Sequence, residues 1–282
     1  MAERWHRRRA WRGGVVVAGL VAGGCAGVVG CSGGGAVADE DARGGEAVEM
    51  LHRAADALRE AGSSRARTSM EMATGGTRVT IRGEGVYDYR RQLGRLKVLL
   101  PQDPAGTSEH RPITELLAPG ALFMKNRGAG VPDDKWVRVE TATLSDGNLV
   151  TGGATDPFAA AEVLRGARTA TYVGRTEIAG TPVRHYRGTA DLAVAAEDAS
   201  AGSRGALAAA AKGFATARVP FDVYLDDDGR IRKVRHRFSF VNARQEHAVA
   251  VASTTLLYDF GAPADVRLPA AGDIFAGRIA EG

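Results

Sequence analysis

The stretch Val219-Pro220-Phe221-Asp222-Val223-Tyr224-Leu225-Asp226-Asp227-Asp228-Gly229-Arg230, continued by Ile231-Arg232-Lys233-Val234-Arg235-His236-Arg237-Phe238, decides the fold class. Apolar and polar side chains alternate on both sides of Asp228-Gly229, a dipeptide suited to a two-residue hairpin turn. That turn places Phe221 opposite His236, Val223 opposite Val234 and Leu225 opposite Arg232. On the other face it sets Asp222 against Arg235, an opposite-charge pair that supports the same register. Lys233, Arg235 and Arg237 then point outward, which reads as a solvated face. Contact with anionic lipid is the alternative, at up to about 1 kcal/mol per cation.

Upstream, the same period of two recurs. Strands are expected around residues 70–73 and over 77–89, joined by Gly75-Gly76. In the second, Val79, Ile81, Tyr87 and Tyr89 share the apolar parity, and Thr80, Arg82, Glu84 and Asp88 the polar one. Leu96, Val98 and Leu100 mark the next strand, followed by a polar loop over 102–112. Further strands are expected near 122–125, 136–139, 169–178, 182–191 and 249–258. Helical spacing of Ala47, Leu51, Ala54, Ala55 and Leu58 predicts a helix over 46–61 capped by Gly62. Asp156-Pro157 opens a second helix that ends at Gly166, and residues 203–213 form a third. Residues from 263 onward read as an exposed tail.

The front of the chain is a different kind of segment. Arginines at 4, 7, 8, 9 and 12 precede an uncharged run over 13–30, and Val28-Val29-Gly30-Cys31 closes it. This is the layout of a secretory signal, and its last four residues resemble the lipobox of bacterial lipoproteins, in which the cysteine sulfur is acylated. Ala22-Gly23-Gly24-Cys25 is a second candidate, with alanine where a larger aliphatic is usual. The run could cover about 27 Å as a helix, but its glycine content makes it a poor permanent span. Residues 1–30 are thus expected to be a signal peptide, 31–45 a lipidated flexible tether, 46–262 the folded domain and 263–282 a tail.

Charge supports this division. The formal net charge is +4, yet removing those five arginines and Glu3 leaves 32 basic and 32 acidic residues. The domain therefore carries no global positive field for nucleic acid. The two cysteines, Cys25 and Cys31, both lie at the front, so no disulfide can staple the domain.

Catalytic patterns are missing from the sequence. Ala201-Gly202-Ser203-Arg204-Gly205 lacks the first glycine of a nucleophile elbow. None of the six histidines forms a zinc-binding pair. Asp226-Asp227-Asp228-Gly229 has Tyr224 where a calcium loop needs its first ligand, so a turn is the better reading. His236 turns inward beside Phe221 and Phe238, as a hydrogen-bonded core residue in preference to a headgroup or metal ligand. No catalytic residue, metal or cofactor is expected.

The order of elements, together with Gly85-Val86-Tyr87-Asp88-Tyr89, Gly180-Thr181-Pro182-Val183-Arg184-His185-Tyr186-Arg187-Gly188-Thr189 and the 219–230 stretch, resembles the LolA-like half-barrel lipoproteins of the LppX and LprG type. The resemblance spans most of residues 46–260 and rests on strand and turn phrases without chemistry. It implies an α+β fold: a single strongly curved antiparallel sheet, a half-barrel, with helices covering the concave face. It further implies a concavity able to take up acyl chains. The inward residues Val79, Ile81, Tyr87, Leu96, Val98, Leu100, Phe221, Val223, Phe238 and Phe240 would line it. A filled core built from the same residues is the alternative.

These readings give an expectation of a lipoprotein anchored through Cys31 at the outer face of the cell membrane. It would bind or carry a hydrophobic ligand without catalysis. The alternative is an interaction module with a filled core, docking another envelope protein.

Overall fold

Alternation in the 219–241 segment does produce an antiparallel pair: β9 (Arg218–Leu225) against β10 (Ile231–Val241), with Phe221 opposite His236, Val223 opposite Val234 and Asp222 opposite Arg235. The turn differs from the expected two-residue loop. Gly229 donates to the Asp226 carbonyl and Asp226 to that of Arg230, while the Asp226 carboxylate accepts from the backbone of Asp228 and Arg230. The loop is therefore longer, Leu225 pairs with Ile231 instead of Arg232, and Arg232 is the extra residue of a bulge. Asp226 favours this arrangement because its side chain satisfies the turn's own amides.

The computed structural model describes residues 35–74, 77–101, 111–128, 130–241 and 248–276. The leader with Cys25 and Cys31, the Gly75-Gly76 turn and most of the 102–112 loop lie outside the described residues. The first half contributes β1 (Ser63–Thr74), β2 (Thr77–Asp88), β3 (Leu93–Leu99), β4 (Ile113–Ala118), β5 (Ala121–Lys125) and β6 (Val137–Glu140). The second half adds β7 (Ala167–Ile178), β8 (Thr181–Asp191), β9, β10 and β11 (Ala248–Tyr258). Together they make one antiparallel sheet ordered β6-β5-β4-β3-β2-β1-β11-β10-β9-β8-β7. Each half is a meander, and β11 joins them by pairing with β1 on one side and β10 on the other. The sheet is curved and open, with β6 and β7 at its edges.

Helices cover the concave face: α1 (Gly35–His52), α2 (Ala54–Ala61), α3 (Pro157–Glu162), α4 (Leu192–Asp198) and α5 (Ala201–Gly213). Leu51, Leu58, Phe158, Leu164, Leu192 and Leu207 share one core cluster with the inward residues of the sheet. The predicted cap is present, since the Asp156 carboxylate accepts from the backbone of Phe158 and Ala159 at 2.7 and 3.2 Å.

Three further expectations change. The helix predicted over 46–61 is two helices and begins earlier, at Gly35. It breaks at Arg53, where the Arg165 guanidinium takes the His52 carbonyl at 3.2 Å. The 113–125 region holds two strands, not one, turned at Pro119-Gly120. A helix, α4, precedes the alanine-rich one; Asp191 caps it by accepting from Ala193 and Val194.

The tail is not simply exposed. Val266 is fully buried with Leu93, Leu116, Ala121 and Phe123 on the convex side of β3–β5. Farther on, Trp136 donates to the Asp273 carbonyl, and Phe275 to that of Trp136, both at 2.8 Å. Residues 263–275 thus form a strap across that end of the sheet.

Candidate functional site

The candidate site is the concave face, where alternation along β2, β3, β9 and β10 directs the expected cavity residues. Ile81, Tyr87, Leu96, Val98, Phe221, Val223 and Phe238 are buried in one cluster, with Val79 and Leu100 half-buried against it. Phe240 lies on β10 opposite Val249. The side chain of Phe240 lies outside the described residues; the other nine share the core cluster or pack against it, with Leu100 at its rim. There it borders an open volume of about 320 Å3 shared with Arg111, Asn126, Arg127, Val131 and Pro132.

What covers this face near β2 and β3 is irregular chain. Residues 144–156 run into the concavity between β6 and α3, and 146–149 and 152–155 are buried although they belong to neither helix nor strand. Their amides are satisfied locally. The Asp146 carboxylate accepts from Asn148, Val150 and Thr151 at 3.0, 2.9 and 2.6 Å, and Thr155 donates to the Leu149 carbonyl at 2.8 Å.

Gly153, with φ 88°, passes directly over the apolar floor. A Cβ there would lie 3.3 Å from Ile81 and 3.5 Å from Val98. Behind the loop stands α5, so close that a Cβ on Gly147 would meet the Ala206 carbonyl oxygen at 2.0 Å. A void of about 30 Å3, room for about one water, remains between Tyr87, Leu117, Asn148, Asp156 and Ala206.

Polar groups cluster under this plug. Glu115 on β4 points inward from between Ile113 and Leu117, fully buried, and neither carboxylate oxygen has a hydrogen-bond partner. Burial pushes its pKa up to about 8, with Arg127 opposing and Asp156 adding to the shift. At neutral pH it is mostly a neutral acid. Asn148 Oδ1 is likewise without a partner, and both oxygens flank Gly152. Burial also raises Asp156, to about 6, although the Ala159 and Phe158 amides and the Tyr87 hydroxyl at 3.3 Å hold it down. The same burial lifts the Tyr87 phenol well above its ordinary range.

His236 sits where the hairpin register placed it, 5.8 Å from the Phe238 ring, but it is not the hydrogen-bonded core residue expected. Its Nε2 has no partner, and burial lowers its pKa to about 3, so the ring stays neutral. Ser253 lies directly across the ladder from it. The Ser253 hydroxyl is shared instead with Thr155 at 2.5 Å, so no nucleophile–base hydrogen bond forms. Among the described residues no group of three or more acidic, histidine or cysteine side chains could hold a metal ion.

Glu115, Asn148 and Asp156 thus belong to the site although sequence reasoning passed over the first two and took the third as a helix cap. The signal for Glu115 was its parity, since a strand placed over residues 113–118 turns it inward with Ile113 and Leu117.

No family model and no curated protein sequence matches the chain. Solved structures do show likeness. The Mycobacterium tuberculosis lipoprotein LppX is 10% identical, with a TM-score of 0.47 over 79% of this chain and 99% of that one. LprF from Mycobacterium bovis is 15% identical, with a TM-score of 0.40 over 80% and 98%. The Pseudomonas aeruginosa MucA/MucB complex gives 17%, 0.32, 83% and 63% respectively. The likeness is one of fold. No helix among the described residues is long and apolar enough to cross a membrane.

Proposed function

We propose that the chain is an envelope lipoprotein, acylated at Cys31 and held at the outer face of the cell membrane, whose half-barrel binds a hydrophobic, acyl-bearing ligand without catalysis. The observation that supports this reading is the nature of the plug. An apolar sheet face that only needed burial would be covered by large apolar side chains. Here part of it is covered by Gly152, Gly153 and Ala154, with the unpaired oxygens of Glu115 and Asn148 beside them. Unpaired buried polar groups cost about 1–3 kcal/mol each, so this cover is held less firmly than a packed helix. An acyl chain replacing it against Ile81 and Val98 gains about 0.8 kcal/mol per methylene buried.

The small void favours a second reading, an interaction module with a filled core that docks another envelope protein. Native mass spectrometry and lipid extraction of the chain recovered from its membrane separate the two, together with uptake of a fluorescent fatty acid. Co-purifying lipid and saturable uptake are expected; a clean apo mass with no uptake would sink the carrier reading. For the anchor, Cys31→Ala releases the chain from the membrane, and continued acyl labelling of that variant moves the site to Cys25.

A further inference from the structure

The convex face of the same sheet carries open troughs of its own. Outward positions of β11, β1, β2 and β3 bound two volumes of about 380 and 530 Å3 that share Arg67, Glu84 and Lys97. Leu99, which is 48% exposed, and Leu256 give the first an apolar floor. Val86 and Tyr258 do the same in the second. The rim is basic: Arg65, Arg67, Arg82, Arg95 and Lys97, against Glu84 alone.

Two of these cations have acidic neighbours, Arg65 with Asp259 at 3.4 Å and Arg67 with Glu84 at 3.9 Å, in exposed pairs of little strength. Arg82, Arg95 and Lys97 have no carboxylate partner among the described residues. Basic and acidic residues are equal in number from Cys31 onward, so an excess on this face is offset elsewhere. Asp56, Glu60, Glu197 and Asp198 sit on the helical side.

We infer that this trough is a docking surface for an anionic phospholipid bilayer. Its charge and its shape both complement such a surface. A convex face can lie against a plane, exposed leucine can enter the acyl boundary, and arginine stems can run along it while their heads meet phosphates. The inference rests on the anchored-lipoprotein reading for its setting, but not on any ligand in the concavity.

Vesicle flotation tests it, using the full chain with Cys25 and Cys31 both replaced by serine so that no acyl group contributes. Phosphatidylcholine vesicles set the apolar baseline, and the triple variant on the anionic vesicles sets the baseline for the leader, whose five arginines also favour an anionic surface. Adding phosphatidylglycerol is expected to strengthen binding in a salt-sensitive way, and Arg82→Gln/Arg95→Gln/Lys97→Gln to remove about a hundredfold of that gain with unchanged thermal unfolding. No gain with phosphatidylglycerol, or a gain the triple variant retains, overturns the inference. So does a dimer in sedimentation that the triple variant dissolves, which would give the trough to a second copy. Failure of fatty-acid uptake leaves these outcomes untouched.

Discussion

Phe221 and Asp222 are neighbours on β9 and both are buried, on opposite faces and for opposite reasons. Phe221 is sealed among Val223, Phe238 and the helical layer. Asp222 is enclosed on the convex side by charge: His185 at 2.9 Å, Arg187 at 3.0 Å and Arg237 at 2.8 Å. Burial alone would raise the Asp222 pKa, yet hydrogen bonds from Arg237, His185 and Arg187 outweigh it and hold the carboxyl at about 2. On β9, then, concave burial is a matter of volume and convex burial a matter of partners. Substitutions on the two faces fail by different routes.

The largest expected effect is on the concave side. Phe221→Ala leaves a cavity beneath the helices and costs about 3–5 kcal/mol, measured by urea unfolding. A loss no greater than that of a surface change would mean that the face is already open.

Next comes Glu115→Gln. The Glu115 pKa is raised on folding, so its contribution is complete below the unfolded value of 4.5 and is lost as pH rises through about 8. The amide cannot ionise, so the variant should exceed wild type by about 4 kcal/mol at pH 8, with little difference at pH 4. His236 acts with the opposite sign: its lowered pKa gives stability that is present above 6.5 and lost as pH falls toward about 3. An unchanged alkaline slope in the variant would remove Glu115 from the plug's energetics.

Val266→Ala probes the strap at about 1–2 kcal/mol, read as a lowered thermal midpoint; a neutral result would show that the strap rests on its backbone contacts alone. The smallest change is expected from Arg95→Ala, within about 0.5 kcal/mol. A larger loss would mean that this convex cation has a structural partner.

The sequence was most legible where one face of a strand is solvated. Along 77–89 strand and parity could be read, and along 219–238 the register as well, up to the Arg232 bulge that moves Leu225 onto Ile231. It failed where the convex face is covered. Leu116, Ala121 and Phe123 point outward but are buried by Val266, so the 113–125 segment is apolar on both faces and its hairpin lost its period. The strap and the missed hairpin are one omission.

The plug was missed for a related reason. Asp146-Gly147-Asn148 and Gly152-Gly153-Ala154 have the composition of surface turns, and only the concavity behind them makes them interior. The inward residues of β2, β3, β9 and β10 could be read from parity, whereas Glu115 and Asn148 depend on contacts far apart in the chain.

The position of β11 sets the order in which the molecule can be made. Its last strand is the seam between the two meanders, so neither half has its central neighbour until residues 248–258 have emerged. A chain delivered from its N-terminus holds β1 as a bare edge for most of its synthesis, and contacts this distant in sequence form slowly. Folding is then postponed to the end of delivery. That interval keeps the chain threadable, and it is also when unpaired edges most need a chaperone.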